Sequence, residues 1–186
     1  MSNDHLESIL SEMQQINGEA ERLVAGLDEE QLNWIPEPGA WSIALCLDHL
    51  AVTNREFRPY LEKALAKAQR RGASGKPYRP TWMGKWLINT LDQEGGRKFK
   101  APKNFQPPAR PAAGALDRFL EEQRQVTSLV ERSRRSDTDV TLRSPVTPLM
   151  RYSLADAFEV IVAHDRRHLR QAQRVKDSQD FPHSAN

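Results

Sequence analysis

Apolar residues along the chain fall into four helical stripes. In the first, Leu6, Ile9, Leu10, Met13, Ile16, Ala20, Leu23, Val24 and Leu27 recur at three- and four-residue steps, the spacing that lines one face of an α-helix. A helix is predicted over about residues 3–27, closing near Gly26, before a short turn from Asp28 and the breaker Pro36-Glu37-Pro38-Gly39. A second helix is predicted over about 41–69, with Ser42 as N-cap and Ile43, Leu47, Leu50, Asn54, Phe57 and Leu61 down one face. Pro59 lies inside it and is expected to kink it or to interrupt its hydrogen bonding. The third, over about 112–134, carries Leu116, Phe119, Leu120, Val126, Leu129 and Val130. The fourth, over about 153–176, follows the cap Ser153, has Asp156 in its first turn, and shows Leu154, Phe158, Ile161, Leu169, Ala172 and Val175. Strand signals are almost absent, with one brief alternation from Asp139 to Leu142.

A connection over about 70–111 separates the second and third helices. It holds Gly72, Gly75, Gly95, Gly96 and prolines at 77, 80, 102, 107, 108 and 111. A loop of that length in a compact domain carries function or some structure of its own. Trp82 and Trp86, around Met83 and Leu87, suggest a short helix packed back on the body, with the tryptophans as core or lid anchors. The expectation is one all-α domain over 1–186: a four-helix bundle with a long crossover between its second and third helices.

Composition narrows the chemistry. The chain has 186 residues, of which 38% are hydrophobic, enough for one core but without any membrane-spanning apolar run. The N-terminus lacks a basic stretch followed by an apolar one, which points to a cytoplasmic protein. The net charge is +2, and the basic runs at Arg132, Arg134, Arg135 and at Arg166, Arg167, Arg170, Arg174 have no aromatic platform among them. They read as solvated faces, so neither nucleic acid nor membrane is expected as a partner. The single cysteine, Cys46, excludes an internal disulfide framework and every cysteine-cluster zinc site. It reads as packing rather than as a nucleophile, with no basic neighbour in sequence. Any metal must therefore rest on histidine and carboxylate.

His164 and His168 are one helical turn apart and stand on the flank of the fourth apolar stripe. An imidazole turned toward a core needs its nitrogens paired, and metal coordination is one way to pair them. His49, on the shoulder of the second helix, is the candidate third ligand. Three nitrogen ligands with open positions are the arrangement of catalytic zinc sites. Spacing alone leaves a second reading open, in which these are satisfied core or surface histidines. Asp165 is a carboxylate near the centre of the stripe. It is a candidate to take a hydrogen bond from a ligand histidine or from the Trp41 indole, or else to pair with a neighbouring arginine. The string His164-Asp165-Arg166-Arg167-His168 is not the zinc-protease motif, because an aspartate, one methylene shorter, stands where that chemistry needs glutamate. Gly72-Ala73-Ser74-Gly75-Lys76 lacks the spacing of a phosphate loop.

These motifs occur in a familiar order. Trp41-Ser42 opens a helix, His49-Leu50 follows, then the loop from Lys100-Ala101-Pro102 to Pro107, and finally His164-Asp-Arg-Arg-His168-Leu-Arg-Gln171. From about Leu6 to Val175 the chain resembles the DinB/YfiT-like superfamily, some members of which are bacillithiol- or mycothiol-dependent S-transferases. The resemblance implies an up-down-down-up four-helix bundle, often a homodimer, with a divalent metal held by three histidines. Carried onto this sequence, the ligands are His49, His164 and His168. Nickel or zinc is the expected ion, with manganese and iron as further options, and a low-molecular-weight thiol as a possible co-substrate. The implied function is a metal-dependent enzyme acting on small molecules. Thiol S-transfer to an electrophile is the first expectation, and metal-dependent hydrolysis and a non-catalytic, stress-associated metal-binding bundle are the alternatives. His5 and His183 match nothing in the pattern and fall in termini expected to be mobile.

Overall fold

The computed structural model describes residues 2–74, 76–93, 102–109 and 113–182. His183, Gly75, Gly95, Gly96, Lys100, Ala101 and Pro111 lie outside the described residues. The elements are α1 (Ser2–Val24), α2 (Glu29–Asn33), α3 (Ile43–Arg71), α4 (Trp82–Asp92), α5 (Ala115–Arg132), β1 (Thr141–Arg143), β2 (Arg151–Ser153) and α6 (Leu154–Lys176), with a 3₁₀ turn at Lys103–Phe105.

Local chemistry sets the helix ends. Ser42 accepts a hydrogen bond from the Leu45 amide at 3.2 Å, satisfying one of the free donors of the first turn of α3. Ser153 and Asp156 cap α6 reciprocally, each side chain bonding the other's amide at 3.0 Å. α3 continues through Pro59 without ending there. The ring lies on the exposed side of the helix, and the missing amide forfeits a single bond to the preceding turn.

The four long helices bury their stripes against one another, with Ile9, Met13, Ile16, Leu50, Leu61, Phe119, Val126, Phe158 and Ile161 enclosed. Side-chain pairs show how the helices run. Asp48 meets Arg118, Asn54 meets Gln123, and Ala68 meets Asp137 just beyond α5, so α3 and α5 lie side by side in the same direction. His5 meets Glu159, Glu12 meets Arg166 and Leu23 meets Lys176, so α1 and α6 also share a direction. The Asp137 amide bonds Ala68 near the end of α3, and the Ala155 amide at the start of α6 bonds Thr138 beside it. His49 near the start of α3 meets His164 and His168 further along α6, so α6 runs antiparallel to α3. Parallel neighbours joined in sequence need a connection that carries the chain back along the whole of α3. That requirement accounts for the long crossover.

Three features depart from the sequence reading. β1 and β2 form a two-stranded antiparallel ribbon in the register Thr141↔Ser153, Leu142↔Tyr152 and Arg143↔Arg151. A three-residue strand is too short to display an alternation, so β2 left no pattern to detect. The helix α4 is present as expected, but its tryptophans do not anchor it: Trp82 is 78% and Trp86 43% exposed. The packed side is the one about 100° away, where Met83, Leu87, Ile88 and Leu91 lie against the core. His5 is not in a loose terminus; it stands in α1 with its ring stacked 3.7 Å from that of Tyr78.

Candidate metal centre

The structure brings His49, His164 and His168 together. One ring nitrogen from each lies within 4.8 Å of the others, and the rings of His49 and His168 are 4.5 Å apart between centroids. Among the described residues no other set of three histidine, cysteine, aspartate or glutamate side chains converges in this way. The one-turn spacing stacks His164 and His168 on α6, and the antiparallel packing of α3 delivers His49 to the same level. Trp41, just ahead of α3, walls the cluster, with its ring 4.8 Å from that of His49 and 5.7 Å from that of His168. His49 is buried, whereas the His164 side chain keeps 16% of its surface in contact with solvent. His168 is likewise half-buried, so His49 is the most enclosed of the three.

Hydrogen bonds decide which nitrogen is free in two of the three rings. His49 Nδ1 lies 2.7 Å from the carbonyl oxygen of Phe105. A carbonyl can only accept, so the proton sits on Nδ1 and the lone pair on Nε2. His168 Nδ1 lies 3.0 Å from Gln171 Oε1 and is fixed in the same sense. The Nε2 atoms of His49 and His164 are 3.2 Å apart. Two nitrogens on one tetrahedral ion with bonds of about 2.0–2.1 Å stand about 3.3 Å apart. The donor set therefore fits a divalent cation.

Burial keeps these rings neutral. His49 is pushed down to about 3, first by desolvation and then by His164, with the Phe105 carbonyl acting in the opposite direction. His164 is pushed down to about 4 by desolvation and by Arg167. His168 lies well below its ordinary value for the same leading reason, with His164 and His49 adding to it. Neutral imidazoles need no deprotonation before they bind a metal.

Asp165 is fully enclosed. Its hydrogen-bond donor is the amide of Asn54, at 3.4 Å, and neither the Trp41 indole nor an arginine. Its Oδ1 is 3.8 Å from His164 Nδ1. Burial raises the carboxyl well above the ordinary carboxylate range, against the effect of Asn54. Cys46 is buried and its thiol is pushed up to about 12 by desolvation, which makes it an inert packing group. Sequence reasoning missed Phe105 and Gln123, and gave Gln171 no role beyond its place in the closing motif. Gln123 had left a signal: it occupies a core slot between Phe119 and Val126 in the third stripe. The Phe105 carbonyl is backbone on a loop and leaves none.

The matched family is described as the DinB superfamily, and its model covers residues 12–172 of this chain. The chain belongs to the DinB superfamily. It is 26% identical over 154 residues to the uncharacterized protein YuaE of Bacillus subtilis (strain 168), a match that covers 82% of this chain and 87% of YuaE. Its fold is similar to that of YfiT from Bacillus subtilis, described as a probable metal-dependent hydrolase with an unusual four-helix bundle topology. The TM-score is 0.62 and the identity 15%, with 98% of this chain and 91% of YfiT covered. The structural match agrees with the bundle fold. No helix of the described residues is long and apolar enough to cross a membrane.

Proposed function

We propose that this DinB-superfamily protein is a metal-dependent hydrolase of small molecules, with His49, His164 and His168 as the ligands of a divalent ion. The observation that carries the reading is the convergence of three imidazoles, two of which, His49 and His168, have Nδ1 engaged so that Nε2 is free to bind. A divalent ion on three neutral ligands keeps its full charge, lowers the pKa of a bound water or thiol and polarises a carbonyl. The residues of the chain do the rest. The Phe105 carbonyl and Gln171 hold two of the rings in the binding tautomer, and Trp41 limits access from one side. The description of YfiT as a probable metal-dependent hydrolase supports hydrolysis over the other uses of such a site. Thiol S-transfer is the second reading. With Cys46 buried, the reacting thiol in that case arrives with the substrate.

Metal analysis of the purified protein tests the site. About one equivalent of nickel, zinc, manganese or iron is expected after reloading, and His168→Ala is expected to abolish uptake. Less than a tenth of an equivalent in the wild type refutes it. Turnover of an ester and amide panel that is lost on chelation supports hydrolysis. Metal-dependent consumption of a model electrophile only when a small thiol is present transfers the assignment to S-transfer. A large metal-dependent gain in melting temperature with no turnover in either assay reduces the site to a structural one.

A further inference from the structure

Behind the three imidazoles runs a buried polar string that metal binding by itself does not require. Asn54 on α3, Gln123 on α5 and Asp165 on α6 are all fully enclosed. The Asn54 amide nitrogen donates to Gln123 Oε1 at 3.3 Å and to Asp165 Oδ2 at 3.4 Å. Its two hydrogens therefore tie three helices together. In this arrangement the Asn54 amide nitrogen is the donor that faces the Asp165 carboxyl. Polar groups in a bundle core are costly unless each is paired. Four atoms of the string remain unpaired: Asn54 Oδ1 and Gln123 Nε2 within it, and Asp165 Oδ1 and His164 Nδ1, 3.8 Å apart, at its end. His49 and His168 have their own acceptors in the Phe105 carbonyl and Gln171. His164 is thus the ligand whose orientation depends on this string.

We propose that Asn54 and Gln123 are positioning residues for the metal centre, fixing Asp165 so that its Oδ1 accepts the Nδ1–H of His164 while Nε2 faces the ion. An imidazole that gives Nε2 to a cation carries its proton on Nδ1, and that proton needs a fixed acceptor for the ring to hold its angle. Asp165 can serve only if its carboxyl plane is held, since it follows His164 directly on the same helix. Asn54 holds Oδ2, and Gln123 holds Asn54. The inference rests on the three-histidine reading.

The test uses cobalt(II) as probe on full-length protein, with affinity measured by competition and the visible spectrum recorded beside it. Asn54→Leu and Gln123→Leu are expected to lower cobalt affinity about tenfold or more and to alter the spectrum. Gln123→Glu, which keeps an acceptor for Asn54, is expected to restore both. The melting temperature of the metal-free variants reads out any purely structural effect separately. A folded Asn54→Leu protein with wild-type cobalt affinity and spectrum overturns the inference while leaving the metal site intact. A wild type that takes up no cobalt overturns the metal reading, and this inference with it. Should both leucine variants fail to fold, imidazole NMR of the zinc-loaded wild type decides. A slowly exchanging His164 Nδ1–H is expected, and one exchanging as fast as free imidazole overturns the inference.

Discussion

Gly84→Ala should detach α4 from the bundle. Gly84 is buried in the first turn of α4, and a methyl group there would stand 2.6 Å from Asp156 Oδ1 and closer still to Oδ2 and Cγ. Asp156 cannot step aside, because Thr81 Oγ1 donates to it at 2.7 Å, the Tyr78 hydroxyl at 2.8 Å and the Ser153 amide at 3.0 Å. Overpacking of this kind costs about 1–3 kcal/mol. Loss of one or two of those bonds adds about 1 kcal/mol each. The intrinsic helix preference for alanine over glycine returns about 1 kcal/mol. The net destabilisation is therefore about 1–4 kcal/mol, a fall of several degrees to about 15 °C in melting temperature for a chain of this size. Urea denaturation and thermal melts measure it, with Gly18→Ala as control. There the nearest group is the flexible Arg22 guanidinium at 3.1 Å, which can swing away, so only the helix preference remains and the protein is slightly stabilised. The sign reverses in an Asp156→Ala background, where Gly84→Ala should be neutral or stabilising. A Gly84→Ala protein as stable as wild type, or an equal cost with and without Asp156, refutes the reasoning.

Glu159 supplies a pH test. Its carboxyl is raised to about 7, first by burial and then by Glu12, against Arg166, with smaller contributions from Asp92 and Asp156; His5 Nδ1 lies 3.4 Å away. The folded protein therefore holds this proton between the unfolded value of about 4.5 and about 7, so stability falls as pH rises through that window, by no more than about 3 kcal/mol. Glu159→Gln should flatten this part of the stability profile, and an unchanged slope would contradict the assignment. The buried Cys46 thiol should resist iodoacetamide in the native protein and react at once in denaturant. Rapid labelling without unfolding would show that it is accessible.

The four bundle helices were legible because each buries one stripe in a common core, so the period of 3.6 is written at every turn. The caps Ser42 and Ser153 were legible for a similar reason, since an N-cap bonds an amide only three residues on. His164 and His168 could be paired from spacing because one helix fixes their relation. Their meeting with His49 could not, because it depends on how α3 and α6 slide past each other. Family resemblance supplied that expectation. The exposed faces of Trp82 and Trp86 illustrate the opposite limit. On α4 two apolar pairs at one-turn spacing compete for the core, and Met83 with Leu87 wins because that face brings Gly84 against Asp156.

Sequence by itself determined the mostly helical class, the long crossover and the residue types any metal would need: five histidines, one cysteine and an aspartate in an apolar stripe. Those properties are local or compositional, and each can be read within a few turns of chain. Only the tertiary structure decided that three of those histidines share one face and that Phe105 and Gln171 choose their tautomers. It alone also showed that Asp165 answers to Asn54 and Gln123. Each of these, save the Gln171 contact within α6, joins residues far apart in sequence. Their geometry is set by the register of whole helices against one another, which packing fixes and spacing along the chain does not.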